Sequence, residues 1–200
     1  MLKLHYAPRT ISIATAIALE EVGAAYEAVP VDFASGAQHG ADYLAVNPKG
    51  RVPALETPGG ILTETGALLE YAAPALVPDD PLNAARMREL MSYLASTMHV
   101  AHAHKMRGSR WADQQSSFDD MTAKVPQTMT ACCDYLEATL PLDPFALGAA
   151  MTCADPYLYM VLSWAPGDGV DMAAFPKLSA FAAMMQARDS LKTLTKRGFL

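Results

Sequence analysis

The segment Asn47-Pro48-Lys49-Gly50-Arg51-Val52-Pro53-Ala54-Leu55 carries the most specific chemistry in the chain. A proline just before a short strand is confined to a sheet edge or a turn, and it often follows a cis peptide bond. A cis Val52–Pro53 bond would turn the Val52 amide and carbonyl outward, where an extended peptide ligand can pair with them as an added strand. The alternative is an ordinary loop proline. A second signal is Leu62-Thr63-Glu64-Thr65-Gly66-Ala67. A strand ends and a helix begins there, so Thr65 and its neighbours offer unpaired amides at the positive end of a helix dipole. That is a seat for a carboxylate, with Glu64 beside it to accept from an ammonium group, or else a helix cap without a ligand. The third is Tyr6-Ala7-Pro8-Arg9-Thr10-Ile11-Ser12, a loop between a strand and a helix, where ligands of α/β units meet main-chain amides. Ser12 is either an N-cap or a hydroxyl that stabilises an anion such as a substrate thiolate.

Other reactive side chains read differently. His99, His102 and His104 lie at i, i+3 and i+5, which puts only His99 and His102 on a common helix face. No carboxylate accompanies them, so no metal site is expected. Cys132 and Cys133 are neighbours with no loop to close, and no Cys-x-x-Cys occurs. With Cys153 they are expected to be buried thiols, neither a zinc site nor a dithiol redox centre. Met98, Met106, Trp111 and Trp164 suit an apolar pocket, although such residues are more often simply core.

Two regions of different rhythm must position these groups. Residues 1–76 alternate strand and helix signals: Leu2–Tyr6 as a strand, Ser12–Val22 as an Ala- and Ile-rich helix, and Tyr26–Val31 as a second strand. After a long irregular connection, Ala54–Thr57 and Ile61–Thr63 flank Pro58-Gly59-Gly60 as a hairpin, and Glu64–Leu76 returns to helical spacing. Residues 77–83, opening on Val77-Pro78-Asp79-Asp80-Pro81, read as a linker. No strand is expected in residues 84–200. Helices are predicted from Leu82 to about Met106, from Ser117 to Leu140 with Pro126 as a kink or a start, from Thr152 to Trp164, from Phe175-Pro176, and from Asp189. The order is β-α-β, β-β-α, then an all-helical bundle.

Composition limits the function classes. The chain has 200 residues, 52% hydrophobic and 18% charged, which supplies a core and argues against disorder. A net charge of −6 with no basic run argues against nucleic acid as a partner. The longest nearly apolar run, Tyr157–Ala165, falls short of the roughly 20 residues that span a bilayer. The start Met1-Leu2-Lys3-Leu4-His5 has no secretory pattern, so a cytoplasmic protein is expected.

Taken together these motifs resemble the cytosolic glutathione S-transferase family, most closely its bacterial beta-like branch. The likeness continues through Gly148, Ala154-Asp155 and Tyr157-Leu158. Thr152-Cys153-Ala154-Asp155 resembles the family's capping box, Thr152 capping forward and Asp155 reaching back, with Met151 as the staple. The resemblance implies a thioredoxin-like domain followed by a helical domain, and a homodimer. It implies glutathione as co-substrate, no further cofactor, and conjugation to a small hydrophobic electrophile. Val52 would bind the cysteinyl main chain with Pro53 cis, Glu64 and Thr65 would hold the γ-glutamyl ammonium and carboxylate, and Ile11 and Arg51 would complete the seat. The beta branch keeps a cysteine where this chain has Ile11, so mixed-disulfide chemistry with glutathione is not expected. Ser12 becomes the expected thiolate donor, with Tyr6 and His99 as the other catalytic candidates. His99 matches the branch's site histidine, Val100 stands where the branch has lysine, and His102 and His104 are expected to be solvated or packed. Met106, Trp111 and Trp164 would line the electrophile pocket. A glutathione-binding protein without catalysis, or a glutathione-dependent isomerase or dehalogenase, is the alternative.

Overall fold

The computed structural model describes all residues, Met1 to Leu200. Strands β1 (Leu2–Tyr6), β2 (Tyr26–Pro30), β3 (Ala54–Thr57) and β4 (Gly60–Thr63) form one sheet in the order β2-β1-β3-β4. β1 and β2 are parallel, with Leu2 opposite Tyr26, and β3 is antiparallel to both β1 and β4. A parallel pair needs a crossover, which α1 (Ser12–Glu21) supplies. α2 (Ala41–Val46) lies in the long connection, and α3 (Thr65–Ala72) follows β4. This is a thioredoxin-like unit, and everything after it is helical.

The helical part comprises α4 (Pro81–Tyr93), a π-helical stretch Leu94–Met98, α5 (His99–Ala103), α6 (Gln115–Thr139), α7 (Ala154–Leu162), α8 (Pro176–Gln186) and α9 (Asp189–Lys196). α1 is apolar on every side, and Ser12 through Leu19 are all buried. Such a helix must be covered all round. It packs on β1 and α3 within the first unit and on α7 and α9 of the helical part, so one apolar core runs through both. α7 is buried along its whole length.

Several boundaries depart from the sequence reading. α3 stops at Ala72, and Pro74–Leu76 forms a separate 3-10 turn. α4 starts at Pro81, inside the stretch read as linker, because Asp80 caps it by accepting from the Asn83 amide at 2.8 Å. The long helix expected to reach Met106 is reorganised by the π stretch and ends at Ala103. Pro126 neither starts nor breaks α6; it sits inside the helix, and Gly169 packs on its ring.

Other expectations meet local geometry directly. Asp155 reaches back to the Thr152 amide at 2.7 Å and also accepts from the Ala146 amide at 2.7 Å. The forward half of the box is displaced, since Thr152 Oγ1 accepts from Ala154 N, at 3.3 Å, rather than from Asp155 N. All three cysteines are free and buried, and burial pushes the Cys133 and Cys153 thiols up to about 12.

Candidate functional site

The loop between β1 and α1 is clamped at Arg9. Its N–H donates to the Phe199 carbonyl at 3.1 Å, and its carbonyl accepts from Trp164 Nε1 at 3.2 Å. Arg9 holds φ at +58°, a left-handed conformation uncommon for a side chain of this size. Both neighbours come from the far end of the chain, so helical packing sets the path of the next two residues. Thr10 and Ile11 emerge from this clamp onto the wall of a cavity of about 770 Å³. The Ile11 amide has no partner within the chain and precedes the first residue of α1.

Ser12 does not reach that wall. It is fully buried, and its hydroxyl accepts from the Ala7 amide at 3.1 Å, donates to the Ala7 carbonyl at 3.2 Å, and lies 2.7 Å from Thr10 Oγ1. The cause is local: the Ala7 amide is buried and must find an acceptor, and the first side chain of α1 supplies it. Thr10 is the hydroxyl-bearing residue of this loop that lines the cavity, with Ser12 behind it. Its Oγ1 donates to the Ala7 carbonyl at 2.8 Å and accepts from the Ser12 amide at 3.3 Å. Tyr6 is also placed elsewhere. Its ring stacks on Phe199 at 4.0 Å, nearly parallel, within the core rather than on the wall.

One end of the cavity is built from main chain. Val52–Pro53 is cis, and the Val52 N–H and C=O take no partner from the protein. The preceding turn is pinned because Tyr43 Oη and Asn47 Nδ2 both donate to the Arg51 carbonyl, at 2.7 and 2.6 Å. Beside it the amides of Thr65, Gly66 and Ala67 are free at the start of α3, and all three residues line the cavity. Glu64 precedes them at φ +73°, backbone strain of a kind that concentrates at ligand sites. Its exposed carboxylate pairs with Lys49, which also donates to Thr63 Oγ1 at 2.7 Å. Arg51 lines the same end and has no acidic partner.

The other end is formed by α4, α5 and the residues after them. Met91, Ala95, Ala103 and Trp164 give apolar surface, Met106 sits largely exposed at the rim, and Arg107 and Arg110 add unpaired charge. His99 and His102 both line this wall, as their spacing requires. Burial, reinforced by the nearby charges of His102, Arg110 and Arg51, pushes the His99 imidazole down to about 4, so it is neutral at pH 7. Trp111 is absent from the wall: beyond Ala103 the chain turns away, and Trp111 packs edge-on against His104 at 4.5 Å, half exposed. Met98 is core.

The cavity thus brings together Ile11, Arg51, Val52, Pro53, Glu64, Thr65, His99, Met106 and Trp164, and leaves out Ser12, Tyr6 and Trp111. It adds Thr10 and His102, which the sequence reading left aside. The arrangement can receive a peptide-like ligand along Val52, seat a carboxylate on the α3 amides, and hold an anion near Thr10 and Ile11.

Comparison with known proteins agrees with this geometry. Residues 2–74 match the family of the glutathione S-transferase N-terminal domain. The chain is similar to a glutathione transferase homologue from Sulfitobacter, solved with bound glutathione: 57% identity, TM-score 0.97, covering 100% of this chain and 99% of that one. It is 29% identical to the glutathione S-transferase GstA of Escherichia coli O157:H7 over 96% of both chains. It is 31% identical to a maleylacetoacetate isomerase of Rhizobium meliloti over 82% of this chain and 81% of that one.

Proposed function

We infer the function from membership and geometry together: the chain belongs to the glutathione S-transferase family and is a glutathione transferase. The observation that carries the detailed reading is the meeting, in one cavity, of the unpaired Val52 main chain, the free α3 amides and Glu64. Glutathione lies with its cysteinyl backbone paired to Val52. Its γ-glutamyl carboxylate rests on the amides of Thr65 to Ala67, where partial positive charge favours it. Its ammonium pairs with Glu64, displacing Lys49. Arg51, free of any acid, faces the glycyl carboxylate. The Sulfitobacter structure with bound glutathione supports this reading.

The thiol then lies over Thr10 and Ile11. The Ile11 amide, the Thr10 hydroxyl and the start of α1 all favour negative charge there, so the bound thiol ionises more readily. Thr10 can turn its proton outward because Ser12 Oγ, 2.7 Å away, then donates to Thr10 Oγ1, and the Ala7 carbonyl keeps the Thr10 amide at 3.4 Å. Ser12 is a positioning residue. With Ile11 in place of the beta-branch cysteine, the chain supplies no thiol for a mixed disulfide here. The Tyr6-Ala7-Pro8 start and His99 support placing it in that branch. The electrophile is small and mainly apolar, since Trp164, Met91, Ala95 and Met106 form the space left beyond the thiol. The relative named as a maleylacetoacetate isomerase supports a second reading, glutathione-dependent isomerisation in the same cavity.

We also read the active species as a homodimer. Ile61 on β4, Tyr71 on α3 and Leu82 on α4 are exposed large apolar side chains on neighbouring elements. Light scattering of the purified chain distinguishes dimer from monomer. The glutathione seat is tested by titrating reduced glutathione into Glu64→Ala. Losing a charged partner should weaken binding by about tenfold. An unchanged dissociation constant removes Glu64 from the site.

A further inference from the structure

The far wall carries His102, and behind it lies Asp168, a pair that glutathione binding does not use. Asp168 ends the 3-10 turn Pro166–Asp168, and its side chain is only 1% exposed. A buried carboxylate is costly unless its oxygens are partnered. Here Oδ2 lies 2.6 Å from His102 Nδ1, and Oδ1 lies 3.2 Å from Lys105 Nζ, which also donates to the Gly167 carbonyl. The turn is fixed from outside. Gly169 closes it at φ +87° and sits so near α6 that a Cβ there would stand 3.1 Å from Pro126 Cγ.

The imidazole is held as firmly as its partner. It stacks on Trp164 with ring centres 4.3 Å apart, and Trp164 is tied through Nε1 to the Arg9 carbonyl, one residue before Thr10. With Nδ1–H given to Asp168, the ring's remaining nitrogen is Nε2, which has no partner in the chain, and His102 lines the cavity. His99 packs on the same tryptophan at 5.1 Å, but no carboxylate orients its ring, and burial pushes that imidazole down to about 4. An imidazole oriented by a buried carboxylate and open on its other side is the arrangement of a proton-transfer group.

We propose that His102, oriented by Asp168, delivers a proton to the carbon skeleton of the second substrate, and that the site therefore suits conjugate addition of glutathione to a double bond activated by a carbonyl. This rests on the glutathione reading above. The thiolate sulfur forms a bond to the β-carbon while the π bond breaks, and its electron pair moves onto the α-carbon and carbonyl as an enolate. His102 Nε2–H protonates the α-carbon, and the ring regains a proton from solvent, replacing the one the thiol released on ionising. Displacement of halide from an aryl ring needs no such proton: the carbon–sulfur bond forms, the carbon–halogen bond breaks, and halide leaves with the pair. Asp168 and Lys105 are positioning residues.

The test compares the full chain with His102→Gln and Asp168→Asn on two electrophiles, benzylideneacetone as the unsaturated ketone and chlorodinitrobenzene as the aryl halide. Glutathione affinity is measured on each protein first. His102→Gln changes a side chain at the cavity surface and should keep the fold and the glutathione affinity. The expected result is a fall of about 10²-fold in kcat/KM for the ketone, at least about tenfold larger than any fall with the halide. Asp168→Asn should reproduce the split if it retains glutathione binding. Equal losses on both electrophiles, no loss on either, or a native protein that conjugates the halide but not the ketone would each overturn the proposal. A native protein that binds no glutathione would instead overturn the reading beneath it.

Discussion

Replacing the two neighbouring hydroxyls separately should have opposite consequences. Thr10→Val removes the hydroxyl on the cavity wall and keeps its shape. The Ala7 carbonyl then retains the Ser12 hydroxyl at 3.2 Å and the residue 10 amide at 3.4 Å, and the losses are the acceptor of the Ser12 amide and the 2.7 Å contact to the Ser12 hydroxyl. The stability cost is therefore about 1 kcal/mol. Catalysis should suffer more. A hydrogen bond to a charged group contributes about 1.5–3 kcal/mol, which corresponds to a rise of about 1–2 units in the pKa of bound glutathione thiol. Turnover near neutral pH should fall about 10²-fold, the loss typical of removing one donor to an anion. Ser12→Ala reverses the pattern. It orphans the buried Ala7 amide at a cost of about 1–3 kcal/mol, yet Thr10 remains on the wall, so the thiol pKa should move by less than about half a unit. The assay is the ultraviolet absorbance of bound glutathione thiolate against pH, alongside denaturant unfolding of each variant. If Ser12→Ala shifts the thiol titration as far as Thr10→Val does, the assignment of the facing hydroxyl is wrong.

Two further perturbations follow from the same geometry. His99 has a folded-state value of about 4 against 6.5 ordinarily, so between those values the unfolded chain binds the extra proton and stability falls as pH drops through that window. The loss reaches at most about 3 kcal/mol, and His99→Gln should flatten it; urea unfolding at a series of pH values gives the slope, and an unaltered slope in the variant contradicts the burial argument. Gly169→Ala places a Cβ 3.1 Å from the Pro126 ring at φ +87°, which should cost about 1–3 kcal/mol by denaturant unfolding. A cost below about 0.5 kcal/mol would mean that Pro126 and Gly169 do not fix the Asp168 turn.

What the sequence disclosed and what it concealed divides along the range of the interactions. Local chemistry was readable: the hairpin at Pro58-Gly59-Gly60, the helix start after Glu64, the Val52–Pro53 turn, and the return of Asp155 to Thr152 all depend on residues a few positions apart. The shared face of His99 and His102 followed from a spacing of three. The departures come from partners distant in sequence. Tyr6 is drawn into the core by Phe199, and Arg9 is clamped by Phe199 and Trp164, which no local pattern near residue 6 or 9 announces. Asp168 lies 66 residues from His102, so the pair exists only once α5 and the turn after α7 are packed together. Ser12 was the near miss. A serine opening a helix after a strand reads equally as a cap or a ligand donor; Ser12 caps no helix amide, and its buried hydroxyl is taken up by the Ala7 main chain instead. Trp111 shows the complementary failure, since an aromatic side chain in sequence says nothing of the direction in which the chain leaves a helix.

The glutathione seat underlies every other assignment. Calorimetric titration of reduced glutathione into the purified full chain measures it directly. A saturable heat with a dissociation constant in the millimolar range or tighter is the predicted result, with the affinity lowered in Glu64→Ala. An absence of binding would contradict the central claim, leaving the fold in place and removing both the thiolate role of Thr10 and the proton delivery by His102.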